Sequence, residues 1–177
     1  MIMNKLHPGT PFPELLASDL EGNVEDIGRP SDEAEWRMVV VYRGRHCPMC
    51  TKYLNKLDEH VEKLNQCGIE VVAVSADSRQ QMLDHLEKLD INFPVYHGLT
   101  LEQMKALGVR ISSPRSEAET DHRYAEPGLF VVNREHDLHI VDISNNPFVR
   151  PDIDTLASGL EWIKANDYPT RGTYVED

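Results

Sequence analysis

The hydrophobic pattern is clearest in residues 36–64, WRMVVVYRGRHCPMCTKYLNKLDEHVEKL. Residues 38–42 form a continuous apolar run rich in valine, which predicts a strand covered on both faces. After a short basic turn, apolar side chains recur every three or four residues, at Tyr53, Leu54, Leu57, Val61 and Leu64. That spacing predicts one long amphipathic helix. A buried strand, a turn and a helix therefore follow one another directly.

Further apolar segments continue the alternation of strands and helices along the chain. The predicted strands are residues 69–74, 92–96, 128–132 and 138–143. Three further helices are predicted: one that begins after the N-cap candidates at residues 75–78, one at residues 101–107 and one at residues 151–165. The last two strands are separated by a short turn, so we expect them to pair in antiparallel fashion. This order predicts an α/β fold with a mixed central sheet flanked by helices.

Two polar stretches lie outside this alternation. In the N-terminal extension, residues 1–30, two short apolar patches flank Glu21-Gly22-Asn23 and predict a small β-hairpin. Residues 111–126, ISSPRSEAETDHRYAE, form a polar loop insertion with a lid-like character. No linker or internal repeat divides the sequence, so we expect a single domain across residues 1–177.

The amino-acid composition says little about the fold, but it excludes several classes of function. The chain of 177 residues has 30 acidic and 18 basic residues and a formal net charge of −12, which argues against a nucleic-acid partner. No apolar run approaches the roughly 20 residues of a membrane span, and the N-terminus lacks the apolar segment of a secretory signal. We therefore expect a cytoplasmic protein without a membrane partner. With only three cysteines, a disulfide-stapled scaffold is excluded.

Cys47 and Cys50 form a CxxC pair at the predicted start of the helix. A helix N-terminus carries partial positive charge and free N–H groups, which stabilise a thiolate. We therefore predict that Cys47, exposed at the helix start, attacks a substrate and that Cys50, one turn later, resolves the intermediate. Arg43, Arg45 and His46 precede Cys47 and are predicted to add positive potential.

A zinc site is the alternative use of a CxxC pair, but it needs four ligands. The sequence has no second CxxC, and Cys67 lies roughly 25 Å beyond Cys50 along a helix that rises 1.5 Å per residue. We therefore expect no metal and no other cofactor, and Cys67 is assigned no role. Pro48 suits the first helical turn, because it has no N–H group to leave unpaired.

These residues resemble the thioredoxin superfamily, and more closely the peroxiredoxin-like branch of the alkyl hydroperoxide reductase/thiol-specific antioxidant (AhpC/TSA) family. The segments that carry the resemblance are GTPFPELLASDLEGN, VVVYRGRHCPMCTKYL, IEVVAVSAD and EPGLFVVNREHDLHIV. The later runs NPFVRPD and YPTRGTY are similar to this branch as well. The resemblance implies a thioredoxin-like fold, thiol-based redox chemistry and the peroxidatic position for Cys47.

Three positions depart from the peroxiredoxin pattern. Peroxiredoxins carry a proline seven residues and a threonine or serine three residues before the peroxidatic cysteine, where this chain has Val40 and Gly44. They also carry an arginine just before the strand that GLFVV resembles, where this chain has Pro127, as in thioredoxins. The likeness to thioredoxins implies that Pro127 follows a cis peptide bond, faces the CxxC pair and positions the substrate.

Two functions stay open on this sequence. The leading hypothesis is a thiol–disulfide oxidoreductase in redox homeostasis, acting on a protein or small-molecule disulfide, because the threonine and arginine of peroxiredoxins are missing. The alternative is an atypical thiol peroxidase, in which Cys47 reduces a hydroperoxide and Cys50 condenses with the resulting sulfenic acid. Both predict a thioredoxin or glutathione system as electron donor. A non-enzymatic redox sensor is a third interpretation, and homodimerisation is left open.

Overall fold

A five-stranded mixed sheet forms the centre of the computed structural model, which describes residues 6–176. The strands are β1 (Leu16–Ser18), β2 (Val24–Asp26), β3 (Trp36–Val41), β4 (Ile69–Val74), β5 (Val95–Tyr96), β6 (Ile111–Ser112), β7 (Tyr124–Ala125), β8 (Gly128–Val132) and β9 (Leu138–Ile143). The helices are α1 (Pro48–Asp58), α2 (Val61–Gln66), α3 (Arg79–Leu86), α4 (Leu101–Leu107) and α5 (Ile153–Ala165).

The strand order in the central sheet is β5-β4-β3-β8-β9. β3, β4 and β5 are parallel, whereas β8 is antiparallel to both β3 and β9. The predicted mixed α/β sheet is therefore confirmed, and β1 and β2 form the predicted N-terminal hairpin. That all of residues 1–177 form one domain stays a prediction.

The central strand β3 is buried on both faces, as its continuous apolar run predicts. Met38, Val40 and Tyr42 pack in one core layer with α1, α2 and α5, while Val39 and Val41 pack in a second layer on the opposite face. This division follows from the alternation of side chains along a strand. The first layer also contains both cysteines of the CxxC pair.

The end of β3 is the place where distant parts of the chain converge. Val41 pairs with Val74 at the last residue of β4 and with Gly128 at the first residue of β8. Because β4 is parallel and β8 antiparallel to β3, the segment after β4 and the segment before β8 both border the turn that leads into α1. Asp77 and Glu126 reach the CxxC region in this way.

The predicted single helix of residues 49–64 is two helices, α1 and α2. At the break, the N–H groups of Glu59 and His60 donate to carbonyls three residues earlier, Lys56 and Leu57, instead of four. His60 lies at the start of α2, and its Nε2 is 2.7 Å from Asp154 Oδ1 on α5. The apolar side continues across the break, which explains why the spacing alone does not reveal it.

The polar composition of residues 111–126 predicts a lid-like loop, but the structure holds both ends of this segment in place. β6 and β7 pair in antiparallel fashion near the two ends of this segment. Tyr124, Ala125 and Glu126 are buried at its C-terminal end. The prediction fails because Tyr124 and Glu126 bind Arg43, a residue more than 80 positions earlier in the sequence.

Among residues 6–176, no helix combines the length and hydropathy needed to cross a bilayer.

We expect Leu54→Ala to lower the free energy of unfolding by about 2–5 kcal/mol, the cost of emptying a packed core position. Leu54 is 0% exposed in the layer that buries both cysteines, whereas Leu16 of the hairpin is 45% exposed. Leu16→Ala is therefore the control, with an expected change within about 0.5 kcal/mol. Urea denaturation of the reduced proteins measures both, and equal losses would contradict the packing described.

Candidate active site

The CxxC pair lies directly after β3, where the chain turns into α1. Cys47 is the N-cap residue of α1, with an extended backbone (φ −112°, ψ 100°), and Pro48 occupies the first helical turn. The backbone N–H of Cys50 donates to Cys47 Sγ at 3.3 Å. The sulfur thus takes the place that an N-cap oxygen usually has and satisfies a free N–H group of the helix.

The two sulfurs differ strongly in acidity. Hydrogen bonds from the Cys50 thiol and the Cys50 N–H, together with Arg43 and the charge of Arg150, outweigh burial and lower the pKa of Cys47 to about 5. Burial, and then the neighbouring Cys47 sulfur, raise the pKa of Cys50 well above its ordinary value. Near neutral pH the pair therefore holds one thiolate, on Cys47, and one thiol, on Cys50.

Both cysteines are reduced and buried: Cys47 is 2% exposed and Cys50 is 0% exposed. This corrects the prediction that Cys47 is exposed at the helix start. Cys47 is part of the core layer between the central sheet and α1, and the spacing of apolar residues along the sequence does not show this burial. A bulky substrate has no direct access to the sulfur in this conformation.

Arg43 is the predicted residue that reaches the thiolate. Its guanidinium lowers the pKa of Cys47 and at the same time binds two groups just before β8. Arg43 Nε lies 2.8 Å from Glu126 Oε1, and Nη2 donates to Tyr124 Oη at 2.7 Å. Glu126 is buried, so this ion pair is largely shielded from water and holds the guanidinium in place.

Arg45 and His46 take other positions than the sequence predicts. The Arg45 guanidinium binds Asp84 at 2.6 Å on the surface, and only its backbone N–H turns inward, toward Asp77. The His46 ring packs 4.5 Å from the Tyr124 ring, and within residues 6–176 neither ring nitrogen has a hydrogen-bond partner. Burial and the charge of Arg43 lower the pKa of His46, so its ring is neutral at pH 7 and adds no positive charge.

Pro127 is brought next to the CxxC pair, as predicted, but its peptide bond is trans. No peptide bond in residues 6–176 is cis. Pro127 and Cys50 line the same small cavity, between β8 and α1. The likeness to thioredoxins thus predicts the location of this proline correctly and the isomer of its peptide bond incorrectly. Its proposed role in positioning a substrate stays a prediction.

Arg150 is a site residue that the sequence does not reveal. It lies one hundred residues after Cys50, in the segment between β9 and α5, and its Nη2 donates to Cys50 Sγ at 2.7 Å. Its Nη1 donates to the carbonyl oxygen of Met49 at 3.1 Å, and its guanidinium stacks 4.9 Å above the Tyr53 ring. The family-like run NPFVRPD contains Arg150, but nothing in that run indicates contact with Cys50.

Asp77 explains why Gly44 stands where peroxiredoxins have threonine or serine. The Asp77 carboxylate is fully buried and accepts the backbone N–H of Arg45 at 2.8 Å. A Cβ atom built on Gly44 would lie 2.5 Å from Asp77 Oδ1, and the backbone of Gly44 has a φ of +139°. A side chain at this position therefore conflicts with both the carboxylate and the backbone conformation.

Cys67 and the metal hypothesis lie apart from this arrangement. Cys67 is the C-terminal cap of α2 and is partly exposed. Within residues 6–176, no group of three or more His, Cys, Asp or Glu side chains is arranged to hold a metal ion.

A mixed sheet with a CxxC pair at the start of a helix after the central strand defines a thioredoxin-like thiol protein.

Comparison with known proteins places the chain within that class. The model of the AhpC/TSA family matches residues 8–141, about three quarters of the sequence. The chain therefore belongs to the AhpC/TSA family, and the predicted resemblance to its peroxiredoxin-like branch is confirmed. Membership of this family makes the protein a thiol-dependent oxidoreductase of the antioxidant class.

Solved structures support the same fold at low sequence identity. A peroxiredoxin-like protein from Aquifex aeolicus matches with a TM-score of 0.74 and 17% identity, over 92% of this chain and 90% of that one. Peroxidoxin BcpB from Mycobacterium tuberculosis matches with a TM-score of 0.71 and 13% identity, over 91% and 97%. AhpC from Enterococcus faecalis matches with a TM-score of 0.68 and 21% identity, over 98% and 99%. The thioredoxin-like fold is confirmed by these matches.

Removing the Arg43 cation should raise the pKa of Cys47, because Arg43 stabilises the thiolate. Since Arg43→Met alone would strand the buried Glu126 carboxylate, the variant to use is Arg43→Met with Glu126→Gln. We expect the midpoint of iodoacetamide alkylation to move up by about one pH unit or more. Arg45→Met is the matched control, because its guanidinium binds Asp84 instead. Equal midpoints in the two variants would contradict the role of Arg43.

Gly44→Ala should destabilise the protein by about 1–3 kcal/mol, because it adds a Cβ against Asp77 and strains the backbone. Gly159→Ala is the control, since Gly159 lies in α5 with no atom within 4 Å of an added Cβ. There we expect a gain of up to about 1 kcal/mol, the difference in helix propensity. Midpoints of urea denaturation compare the two, and a Gly44→Ala midpoint at or above the wild-type value would refute the steric explanation.

Proposed function

We propose that the protein is a dithiol peroxidase that reduces hydroperoxides at Cys47 and closes a Cys47–Cys50 disulfide in each cycle. The observation that carries this proposal is the Cys47 sulfur itself, which is held as a thiolate and is 2% exposed. A thiolate is the reactive form of cysteine toward peroxides. A small hydroperoxide needs far less opening of this site than a protein disulfide does.

In the proposed cycle, the Cys47 thiolate attacks the terminal oxygen of a hydroperoxide. The S–O bond forms, the O–O bond breaks, and the departing alkoxide or hydroxide takes up a proton. Cys50 then condenses with the Cys47 sulfenic acid, forming the disulfide and releasing water. An external thiol reductant, a thioredoxin or glutathione system, returns the pair to the dithiol.

The roles of the surrounding residues follow from their contacts. Arg43 provides the cation beside the reacting sulfur and is the candidate for binding the peroxide oxygens, in place of the arginine that this chain lacks before β8. Tyr124 and Glu126 hold Arg43 in position. Arg45 is a surface residue in this proposal, and Pro127 helps to shape the wall beside Cys50.

A thiol–disulfide oxidoreductase is the second candidate, favoured by the placement of the CxxC pair at the helix start. The acidity of Cys47 weighs against a disulfide reductase, because stabilising the thiolate stabilises the reduced form and makes the couple more oxidising. Such a pair donates electrons to protein disulfides poorly. The same property suits a peroxidase, whose disulfide has to be reduced again readily.

The rate of reaction with hydrogen peroxide separates the two candidates. A free cysteine is only a few per cent thiolate at pH 7, so full ionisation of Cys47 by itself raises the rate by at most about 30-fold. We expect a larger acceleration over free cysteine in stopped-flow oxidation of the reduced protein, since Arg43 also orients the peroxide. An acceleration below this limit, combined with rapid reduction of insulin disulfides, would favour the oxidoreductase.

Two variants define the roles of the cysteines. Cys47→Ser should abolish the fast reaction with peroxide, whereas Cys50→Ser should keep it and stop at the sulfenic acid, which dimedone labels. Cys67→Ser is the matched control, because Cys67 lies at the far end of α2 and should leave both steps unchanged. A wild-type rate of peroxide reaction in Cys47→Ser would refute the assignment.

A further inference from the structure

Arg150 makes three contacts that together fix its guanidinium against the start of α1. Nη2 donates to Cys50 Sγ, Nη1 donates to the Met49 carbonyl, and the planar group stacks on the Tyr53 ring. The Tyr53 hydroxyl in turn donates to the carbonyl oxygen of Pro151 at 3.0 Å. The segment that carries Arg150 is therefore attached to α1 at two points, and its cation is aimed at one sulfur.

Cys50 needs a cation more than Cys47 does. Its sulfur is fully buried in the apolar core layer, and burial raises the pKa of Cys50 by more than the Arg43 backbone N–H and Arg150 lower it. A thiol in such surroundings stays protonated and is a poor nucleophile. In the reduced protein, the adjacent Cys47 thiolate disfavours a second negative charge as well.

Oxidation of Cys47 changes this balance. A sulfenic acid at Cys47 is mostly neutral, so the repulsion that Cys50 experiences from the thiolate is removed. In the second step, the charge of Arg150 then acts on a single buried anion, the Cys50 thiolate, because Cys47 no longer carries a negative charge. The charge of Arg150 also lowers the pKa of Cys47 in the reduced protein, but its hydrogen bond is to Cys50 Sγ, the sulfur that reacts second.

We propose that Arg150 is a catalytic residue of the second step, in which it stabilises the Cys50 thiolate that attacks oxidised Cys47. This inference rests on the proposed function and deepens it. Cys50 loses a proton to solvent, and its thiolate sulfur attacks the Cys47 sulfenic sulfur. The S–S bond forms, the S–O bond breaks, and the leaving hydroxide takes up a proton to become water. The two electrons of the new bond come from Cys50, so no further oxidant is needed.

The other ionisable groups around Cys50 do not replace Arg150. Tyr42, at the end of β3, has its pKa raised by burial and stays neutral. Tyr53, on α1, has its pKa raised to about 12 and is neutral as well. Asp142, on β9, lines the small cavity beside Cys50 and Pro127, and a carboxylate has the wrong charge to stabilise a thiolate. Arg150 is thus the cation that contacts the Cys50 sulfur in the described part of the chain.

The direct test measures the acidity of Cys50 without any peroxide chemistry. Cys47→Ser with Cys67→Ser leaves Cys50 as the single thiol and puts a neutral hydroxyl beside it, in place of the thiolate. Thiolate absorbance near 240 nm is then followed against pH. Adding Arg150→Met should move the midpoint up by about one pH unit or more, because a cation in contact with the sulfur is lost.

Two further variants separate charge from structure. Arg150→Lys keeps the cation but cannot reproduce the stacked, two-pronged contact, so its midpoint should stay closer to that of arginine than the methionine variant does. Arg171→Met is the matched control, because Arg171 also stacks on a tyrosine, Tyr168, and should leave the midpoint unchanged. Equal midpoints for Arg150→Met and Arg171→Met would overturn the proposal.

The kinetic test follows both steps by rapid quenching and mass spectrometry. In Arg150→Met we expect disulfide formation at pH 7 to slow by about tenfold for each pH unit of the shift. The longer-lived sulfenic acid should then give more Cys47 sulfinic acid at high peroxide. An unchanged rate of disulfide formation would refute the role of Arg150. If wild-type Cys47 instead reacts with peroxide no faster than free cysteine, the proposed function fails, and the Cys50 titration still decides whether Arg150 acts on this sulfur.

Discussion

The position at which α1 begins determines the hydrogen bond from the Cys50 N–H to Cys47 Sγ, and the rest of the site depends on this bond. The helix starts one residue after Cys47, so the sulfur caps it and accepts a donor that the helix cannot use internally. Moving the start by one residue would turn the sulfur away from this donor. Pro48 in the first helical turn and the extended backbone of Cys47 both define the boundary.

Contacts with distant parts of the sequence determine the charge around the pair. Arg43 is held by Glu126 from the segment before β8, and Arg150 enters from the segment before α5. Arg150 hydrogen-bonds Cys50 Sγ, whereas the Arg43 side chain lowers the pKa of Cys47, so the two cysteines have different electrostatic surroundings. One cysteine is a thiolate and the other a thiol because burial is compensated at Cys47 and not at Cys50.

The chain differs from peroxiredoxins at positions that the structure connects. Gly44 has no side chain because the Asp77 carboxylate occupies the space next to it. Asp77 holds the backbone N–H of Arg45, which belongs to the turn before Cys47. Gly44 thus stands at the threonine position of peroxiredoxins in a turn that Asp77 supports. Pro127 stands at the arginine position, and Arg43 instead brings a guanidinium near Cys47. In the proposed function, the burial of Cys47 favours a small oxidant over a protein substrate.

The sequence by itself determined the elements and the kind of chemistry. The continuous run of β3, the helical spacing after Met49, the hairpin at Glu21-Gly22-Asn23 and the CxxC pair are local patterns, and local patterns predict local structure. These same patterns placed Cys47 at a helix start. The break between α1 and α2 escaped them because the apolar spacing runs across it.

Only the tertiary structure decided what surrounds the two sulfurs. The contact of Arg150 with Cys50 spans one hundred residues, and the binding of Arg43 by Tyr124 and Glu126 spans more than eighty. Cys47 is likewise buried as part of a core layer, and the peptide bond before Pro127 is trans, neither of which the local sequence pattern shows. Sequence spacing describes neighbours along one helix or strand, whereas the acidity of a buried thiol depends on every charge that packing brings within a few ångströms.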